Sequence, residues 1–149
     1  MLVASSRIRW GFGLWLLALA RLHVNKGLDV LLQALVQVPE AYLWIAGDGP
    51  LRVMLMGLAD RLGVARRVRF LGWRTDRAAL LATADICVFP SRVEPFGTVM
   101  VEAWACNRPL VTAAAAGPKT IGVPANRFYS SALIVINSRA GRLEGDKLV

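Results

Sequence analysis

The 149-residue chain has the length of a single domain and can bury a full hydrophobic core. Hydrophobic residues make up 56% of the chain and charged residues 19%, which excludes intrinsic disorder and favours a sheet buried on both faces. The net charge of +8 predicts an anionic partner, and nucleic acid is disfavoured because no basic run with interleaved aromatic residues and no RNA-recognition signature is present.

Residues 1–20 admit more than one interpretation. Arg7 and Arg9 precede an apolar segment, residues 10–19, as they would in a secretory signal peptide. The segment is too short to span a bilayer, and the domain pattern continues after it without a break. We therefore favour a first buried strand over residues 14–20, with a signal peptide or a basic membrane-surface segment as the alternatives.

Strands and helices alternate from this point along most of the chain. Short connections between them predict parallel pairing in a doubly wound, Rossmann-like α/β sheet, with ligands at the carboxyl ends of the strands. Thr75 or Asp76 is expected to cap the third helix. The predicted strands are 14–20, 42–46, 68–71, 86–89 and 109–112, and the predicted helices are 28–36, 51–62, 76–84 and 99–105.

The chain is expected to form one domain, residues 1–149, with less regular ends. The alternating pattern is lost after Pro118, and only one apolar stretch, residues 132–136, interrupts the polar segments that follow. We therefore expect residues 1–12 and 119–149 to be irregular or degenerate.

The most informative segment is the junction between the fourth predicted strand and its helix. Pro95 and Gly97 place Glu94 in a loop, whereas Glu102 lies two turns into the helix. Backbone N–H groups near Gly97 and Thr98 suit a phosphate, and the two carboxylates suit hydroxyl groups. A phosphate together with a polyol indicates a sugar nucleotide as the ligand.

These residues and their order resemble the donor-binding half of the group 1 glycosyltransferases (family 4, GT-B architecture), whose E-x7-E signature follows a strand that ends in Pro-Ser. The resemblance covers residues 17–118 and implies the C-terminal half of a GT-B fold, without the N-terminal acceptor-binding domain. The matching segment is Pro90-Ser91-Arg92-x-Glu94-Pro95-Phe96-Gly97-x-Val99-x-x-Glu102-Ala103.

The resemblance also implies roles for individual residues. Arg21 and Lys26 match the family's R-L-x-x-x-K-G loop, which holds the donor diphosphate, and both side chains suit that anion. Glu102 would accept hydrogen bonds from the ribose hydroxyls, and Glu94 would contact the transferred sugar. The backbone N–H groups of Phe96, Gly97 and Thr98 would donate hydrogen bonds to the phosphate and the sugar.

Two further turns are expected near the donor. The segment from Gly47 to Gly49 resembles the family's G-x-G-P-L turn, although alone it predicts no more than a tight turn. Trp73 and Arg74 lie where the family encloses the nucleobase, so either side chain is a candidate to stack on it. A Trp in a turn equally suits a cover for the edge of the core.

The remaining chemistry is defined by what the sequence lacks. A single histidine, His23, and the lack of a D-x-D pair imply neither a metal ion nor a cofactor. Cys87 and Cys106 are expected to be buried free thiols in a reducing compartment.

The resemblance therefore implies a retaining, metal-independent glycosyltransferase that binds a nucleoside-diphosphate sugar. We expect a cytoplasmic location, with peripheral contact at the inner face of the membrane as a further expectation. An inactive nucleotide-binding remnant and a basic membrane-surface protein are the alternatives.

Overall fold

The computed structural model of the chain describes residues 13–93 and 97–113 together with three short strands nearer the C-terminus. Six strands form one sheet in the order β3-β2-β1-β4-β5-β6, and every neighbouring pair is parallel. These strands are β1 (Leu14–Leu19), β2 (Ala41–Ala46), β3 (Val68–Gly72), β4 (Ile86–Phe89), β5 (Leu110–Ala113) and β6 (Leu133–Ile136). A separate antiparallel pair consists of β7 (Leu143–Glu144) and β8 (Lys147–Leu148).

The strand order confirms the predicted doubly wound, Rossmann-like α/β fold. The chain adds β2 and β3 on one side of β1 and then returns to pair β4 with its other side, so the order reverses between β1 and β4. Open α/β sheets bind ligands in a crevice at such a reversal, at the carboxyl ends of the strands.

Four helices connect the first five strands, and their predicted bounds agree with the structure to about one residue, which is the usual uncertainty of helix ends. They are α1 (Leu28–Leu35), α2 (Arg52–Arg61), α3 (Arg77–Thr83) and α4 (Thr98–Ala105). Among the described residues, no helix has the length and apolar composition needed to cross a membrane.

The core has two halves because side chains along each parallel strand alternate between the faces of the sheet. Leu17 and Leu19 of β1 pack in a cluster with residues of α3 and α4, such as Met100. Ala18, between them, packs in a second cluster with residues of α1 and α2, such as Leu32. Helices therefore cover both faces, which explains the high apolar content of the sequence.

Two local expectations need correction. Asp76 is at the N-cap position of α3, but its side chain makes no capping hydrogen bond because both carboxylate oxygens bind the Arg74 guanidinium. The apolar stretch at residues 132–136 contains β6, which pairs with β5, so the segment 119–149 is not irregular throughout. Residues 1–12 lie outside the described residues.

Candidate functional site

A cavity of about 250 Å³ opens at the carboxyl ends of β1, β2 and β4. The last residue of each strand, Leu19, Ala46 and Phe89, contributes to its wall. Thr98, the first residue of α4, also lines it, as does Gly47 in the loop after β2. The cavity therefore occupies the crevice that the strand order creates.

The described lining of this cavity is cationic. Four of its residues are Arg or Lys, and none of its described residues is Asp or Glu. The cations come from the loop after β1, the turn after β3 and the start of α3, and they are Arg21, Lys26, Arg74 and Arg77. A lining of this charge favours an anionic ligand.

Hydrogen bonds hold the first loop (residues 20–27) between two neighbouring loops. On one side, Leu22 donates its N–H to the carbonyl of Asp48 at 3.0 Å and accepts a hydrogen bond from the N–H of Leu51 at 3.1 Å. On the other side, the N–H of Arg92 donates to the carbonyl of Asn25 at 2.8 Å. Backbone contacts on both sides thus fix the loop that carries Arg21 and Lys26.

Two glycines allow these loops to approach so closely. A Cβ atom at Gly47 would lie 1.9 Å from the carbonyl oxygen of Ala20, and one at Gly27 would lie 2.2 Å from that of Pro90. Both glycines have a positive φ, +144° and +62°, which other residues rarely adopt. Gly49, a predicted ligand contact, is not among the cavity-lining residues and packs instead against the carbonyl of Leu22.

The described residues that follow β4, 90–93, are also connected to the first loop. Arg92 donates to both carboxylate oxygens of Asp29, at 2.8 and 2.6 Å, and to the carbonyl of Val24 at 2.9 Å. Gly97 has a φ of +74° and precedes α4 as its N-cap residue. Glu94 and Phe96, both predicted site residues, lie outside the described residues.

The turn after β3 contributes one exposed aromatic side chain and one paired cation to the cavity. Trp73 is 78% exposed and therefore does not cover the edge of the core, which was the alternative for this residue. The Nε and Nη2 atoms of Arg74 donate to Asp76 at 2.8 and 2.6 Å. Since Asp76 holds the guanidinium of Arg74, Trp73 is the better placed of the two to stack on a ligand.

Glu102 lies one turn along α4 from Thr98 but is not among the cavity-lining residues. Its Oε2 atom is shielded from solvent and lies 2.8 Å from Nη2 of Arg77. Sequence reasoning missed Arg77, although its position at the start of the helix that follows the Trp73 turn was a usable signal.

Within the described ranges, no three His, Cys, Asp or Glu side chains come together as a metal site would require.

Six predicted residues therefore line one cavity. They come from four segments that follow different strands and are distant in the sequence, and the parallel sheet brings them together. The six are Arg21, Lys26, Gly47, Trp73, Arg74 and Thr98.

A doubly wound parallel sheet with a cationic cavity at the carboxyl ends of its strands defines an α/β protein of the Rossmann-like class. The model of the family described as Glycosyl transferases group 1 matches residues 13–138. The chain belongs to this family. The match confirms the resemblance given by the sequence motifs and extends beyond Pro118, where those motifs end.

The chain is similar to several characterised proteins, each of which is much longer. The lipopolysaccharide core biosynthesis glycosyltransferase LpsE of Rhizobium meliloti is 41% identical over 103 residues, which cover 69% of this chain and 30% of LpsE. A D-inositol 3-phosphate glycosyltransferase of Mycobacterium marinum is 40% identical over 65% of this chain and 22% of its own length. The chain thus spans about 30% or less of these relatives.

Solved structures give the same result for the fold. The crystal structure of Anabaena HepE in complex with UDP and glucose has a TM-score of 0.75 and 30% identity, and the match covers 85% of this chain and 35% of HepE. The structure of WaaG, a glycosyltransferase involved in lipopolysaccharide biosynthesis, has a TM-score of 0.73 and 28% identity over 87% of this chain and 35% of WaaG.

Proposed function

We propose that this chain binds a nucleoside-diphosphate sugar and forms the donor-binding half of a retaining, metal-independent glycosyltransferase. The observation that carries the proposal is the position of three residues around one cavity. Arg21 and Lys26 line it from the loop after β1, and Thr98 lines it from the start of α4. A side-chain cation pair and a helix N-terminus facing one space suit a diphosphate.

The chemistry of glycosyl transfer explains why a diphosphate needs this environment. Positive charge grows at the anomeric carbon in the transition state while negative charge grows on the departing diphosphate. Arg21 provides a fork of N–H donors and Lys26 a compact charge, and both sit in a loop that backbone hydrogen bonds already hold in place. Groups fixed in advance stabilise the leaving group without reorganisation during the reaction.

We assign the two ends of the donor by the same reasoning. The nucleobase would lie against the exposed indole of Trp73, at the β3 side of the cavity. Glu102 would accept hydrogen bonds from the ribose, while Glu94 and the backbone N–H groups of Phe96 and Gly97 would serve the sugar and phosphate. The complexes of HepE with UDP and with UDP-glucose support UDP as the first nucleotide to test.

Turnover would require an acceptor-binding domain in addition to this chain. We therefore expect the 149-residue chain to bind the donor nucleotide but to transfer sugar slowly or not at all. An inactive nucleotide-binding remnant would behave in the same way until that domain is supplied. Addition of an acceptor-binding half separates the two cases because only a donor half would then restore transfer.

Calorimetry of the chain with UDP, GDP and ADP tests the proposal. At least one of the three should bind with a Kd of about 1 mM or tighter. Arg21→Gln should weaken that binding by about tenfold or more, because it removes a charged donor from the diphosphate.

Arg66→Gln is the matched control, since it removes the same charge from an exposed residue outside the cavity lining. It should change the Kd by less than about twofold. Folded protein that binds none of the three nucleotides would contradict the proposed function.

A further inference from the structure

The ion pair between Arg77 and Glu102 connects α3 and α4, and Arg77 lies at the cavity. Nη2 of Arg77, the first residue of α3, lies 2.8 Å from Oε2 of Glu102 in α4. Arg77 also lines the cavity, and Glu102 lies one helical turn beyond the cavity-lining Thr98. Residues four apart share one helix face, so Glu102 is next behind Thr98 on the side of α4 that faces the ligand space.

Within the described part of the chain, the Oε2 atom of Glu102 is in an ion pair with Arg77, although the pair does not have the geometry of a hydrogen bond. Oε2 is shielded from solvent at the ion pair, while the side chain as a whole remains 36% exposed. A charged oxygen that is removed from water needs a compensating partner, and Arg77 provides it. The charge of Arg77 attracts Oε2 towards α3, which leaves the second oxygen of the carboxylate for a hydrogen bond to a ligand.

We propose that Arg77 is a positioning residue, which orients Glu102 so that its carboxylate accepts hydrogen bonds from the ribose hydroxyls of the donor. This inference rests on the proposed function. A carboxylate held by a second side chain loses little freedom when the ligand arrives, so its hydrogen bonds contribute more to the affinity. Arg77 thereby sets the preference for a ribose over a sugar that lacks those hydroxyls.

A purely structural role is the competing explanation, and it makes a different prediction. Because the two side chains are 40% and 36% exposed, their pairing should contribute about 1 kcal/mol or less to folding. Loss of a structural tie would weaken the binding of every nucleotide alike. Loss of a positioning residue would weaken the binding of a ribonucleotide by more than it weakens the binding of a dideoxynucleotide.

The experiment compares two ligands by calorimetry. They are the tightest-binding of UDP, GDP and ADP, and its 2′,3′-dideoxy analogue. The wild-type chain should prefer the ribonucleotide by about tenfold, the effect of one pair of charge-assisted hydrogen bonds. Arg77→Gln should reduce this preference to about threefold or less, and Arg77→Lys should retain most of it because it keeps a charged donor.

Three further variants make the result specific. Glu102→Gln should lose the preference as Arg77→Gln does, and the double variant should lose no more than either single one. Arg66→Gln, with the same change in net charge away from the cavity, should keep the wild-type preference.

The inference and the proposed function fail in distinguishable ways. A folded Arg77→Gln chain that keeps the full ribose preference overturns the inference alone, as does a wild-type chain that binds both ligands equally. A wild-type chain that binds no nucleoside diphosphate overturns the proposed function and the inference together. If Arg77→Gln does not fold, the Glu102→Gln and Arg77→Lys chains decide, and unaltered preference in Glu102→Gln overturns the inference.

Discussion

The Asp29 carboxylate and the Arg92 guanidinium form two parallel hydrogen bonds, at 2.8 and 2.6 Å, between the first turn of α1 and the loop after β4. Arg92 also donates to the carbonyl of Val24. The pair therefore joins the loop that carries Lys26 to the loop that leads into α4. Arg92 is therefore one of the residues that connect the two sides of the cavity.

Replacement of this arginine should loosen that connection at a modest cost in stability. Arg92→Met removes a bidentate pair that is 39% and 33% exposed, so we expect the free energy of unfolding to fall by about 1 kcal/mol. Urea unfolding at pH 7 measures it, and Asp29→Asn with the double variant completes a cycle. Additive losses from the two single variants would show that the pair contributes nothing.

The same pair predicts a dependence on pH. The hydrogen bond from Arg92 lowers the pKa of the Asp29 carboxyl group below its ordinary value of 3.8. The carboxylate therefore binds a proton more readily in the unfolded chain than in the folded one. The stabilisation is therefore complete above the unfolded pKa and is lost as the pH falls through the folded value. The difference in the free energy of unfolding between the wild type and Asp29→Asn should therefore become smaller as the pH falls below 3.8. A difference at pH 2 as large as that at pH 7 would contradict this assignment.

Gly27 should be far less tolerant of substitution than another glycine with similar backbone geometry. Gly27 and Gly63 have φ values of +62° and +70°, but a Cβ atom meets the Pro90 carbonyl at 2.2 Å in the first and nothing within 4 Å in the second. Gly63→Ala should cost about 1 kcal/mol through backbone strain alone. Gly27→Ala adds the steric clash, so we expect a loss of about 3 kcal/mol or more in urea unfolding. Equal losses would show that the loops move apart freely.

The alternation of strands and helices could be predicted because it depends on local patterns. The apolar period of residues 28–35 and the stops at Pro39 and Gly63 are signals within one element. Since parallel strands end at one edge, Arg21, Trp73 and Thr98 could also be expected to lie near each other.

The side-chain pairs could not be predicted in the same way. Asp29 and Arg92 are separated by 63 positions, and Arg77 and Glu102 lie on different helices. Their meeting depends on the orientation of packed elements, which no local pattern encodes. For the same reason Asp76, a good N-cap residue by type, binds Arg74 instead of the helix backbone.

Arg67 should be important for stability although it is remote from the cavity. Its guanidinium donates to three carbonyl oxygens around the end of α1, those of Leu35 at 3.0 Å, Val38 at 2.9 Å and Ala41 at 2.8 Å. Arg67→Met leaves these carbonyls without that donor, so the free energy of unfolding should fall by about 2–3 kcal/mol. Thermal and urea unfolding measure the loss.

Arg66→Met is the matched control for Arg67→Met. Arg66 is the preceding residue, its side chain is exposed, and the substitution removes the same charge. The control should change stability by about 0.5 kcal/mol or less. Arg67→Lys should recover only part of the loss, since one ammonium group cannot reproduce the planar fork of donors. Similar losses for Arg66→Met and Arg67→Met would assign the effect to net charge.

Trp73→Ala should lower nucleotide affinity without lowering stability. The indole is 78% exposed, so its removal uncovers little apolar core, but it borders the cavity on the side that we assign to the nucleobase. Loss of one base–aromatic contact should raise the Kd of the bound nucleotide by about tenfold. Trp73→Phe should keep most of the affinity, and calorimetry with inorganic pyrophosphate should give equal results for all three chains. A pyrophosphate affinity that falls in Trp73→Ala would place the indole elsewhere.

The two cysteines should differ sharply in reactivity. Cys87 is buried in the core, and burial, reinforced by the negative charge of Glu102, raises the pKa of its thiol to about 12. Both cysteines are free, as expected, but Cys106 is half-buried, whereas the sequence predicted two buried thiols. The thiolate is the reactive form of cysteine. A disulfide reagent at pH 8 should therefore modify Cys106 quickly in the folded chain, and Cys87 only after unfolding in denaturant. In Cys106→Ala the fast phase should disappear, and a fast phase that persists there would mean that β4 opens readily in the folded protein.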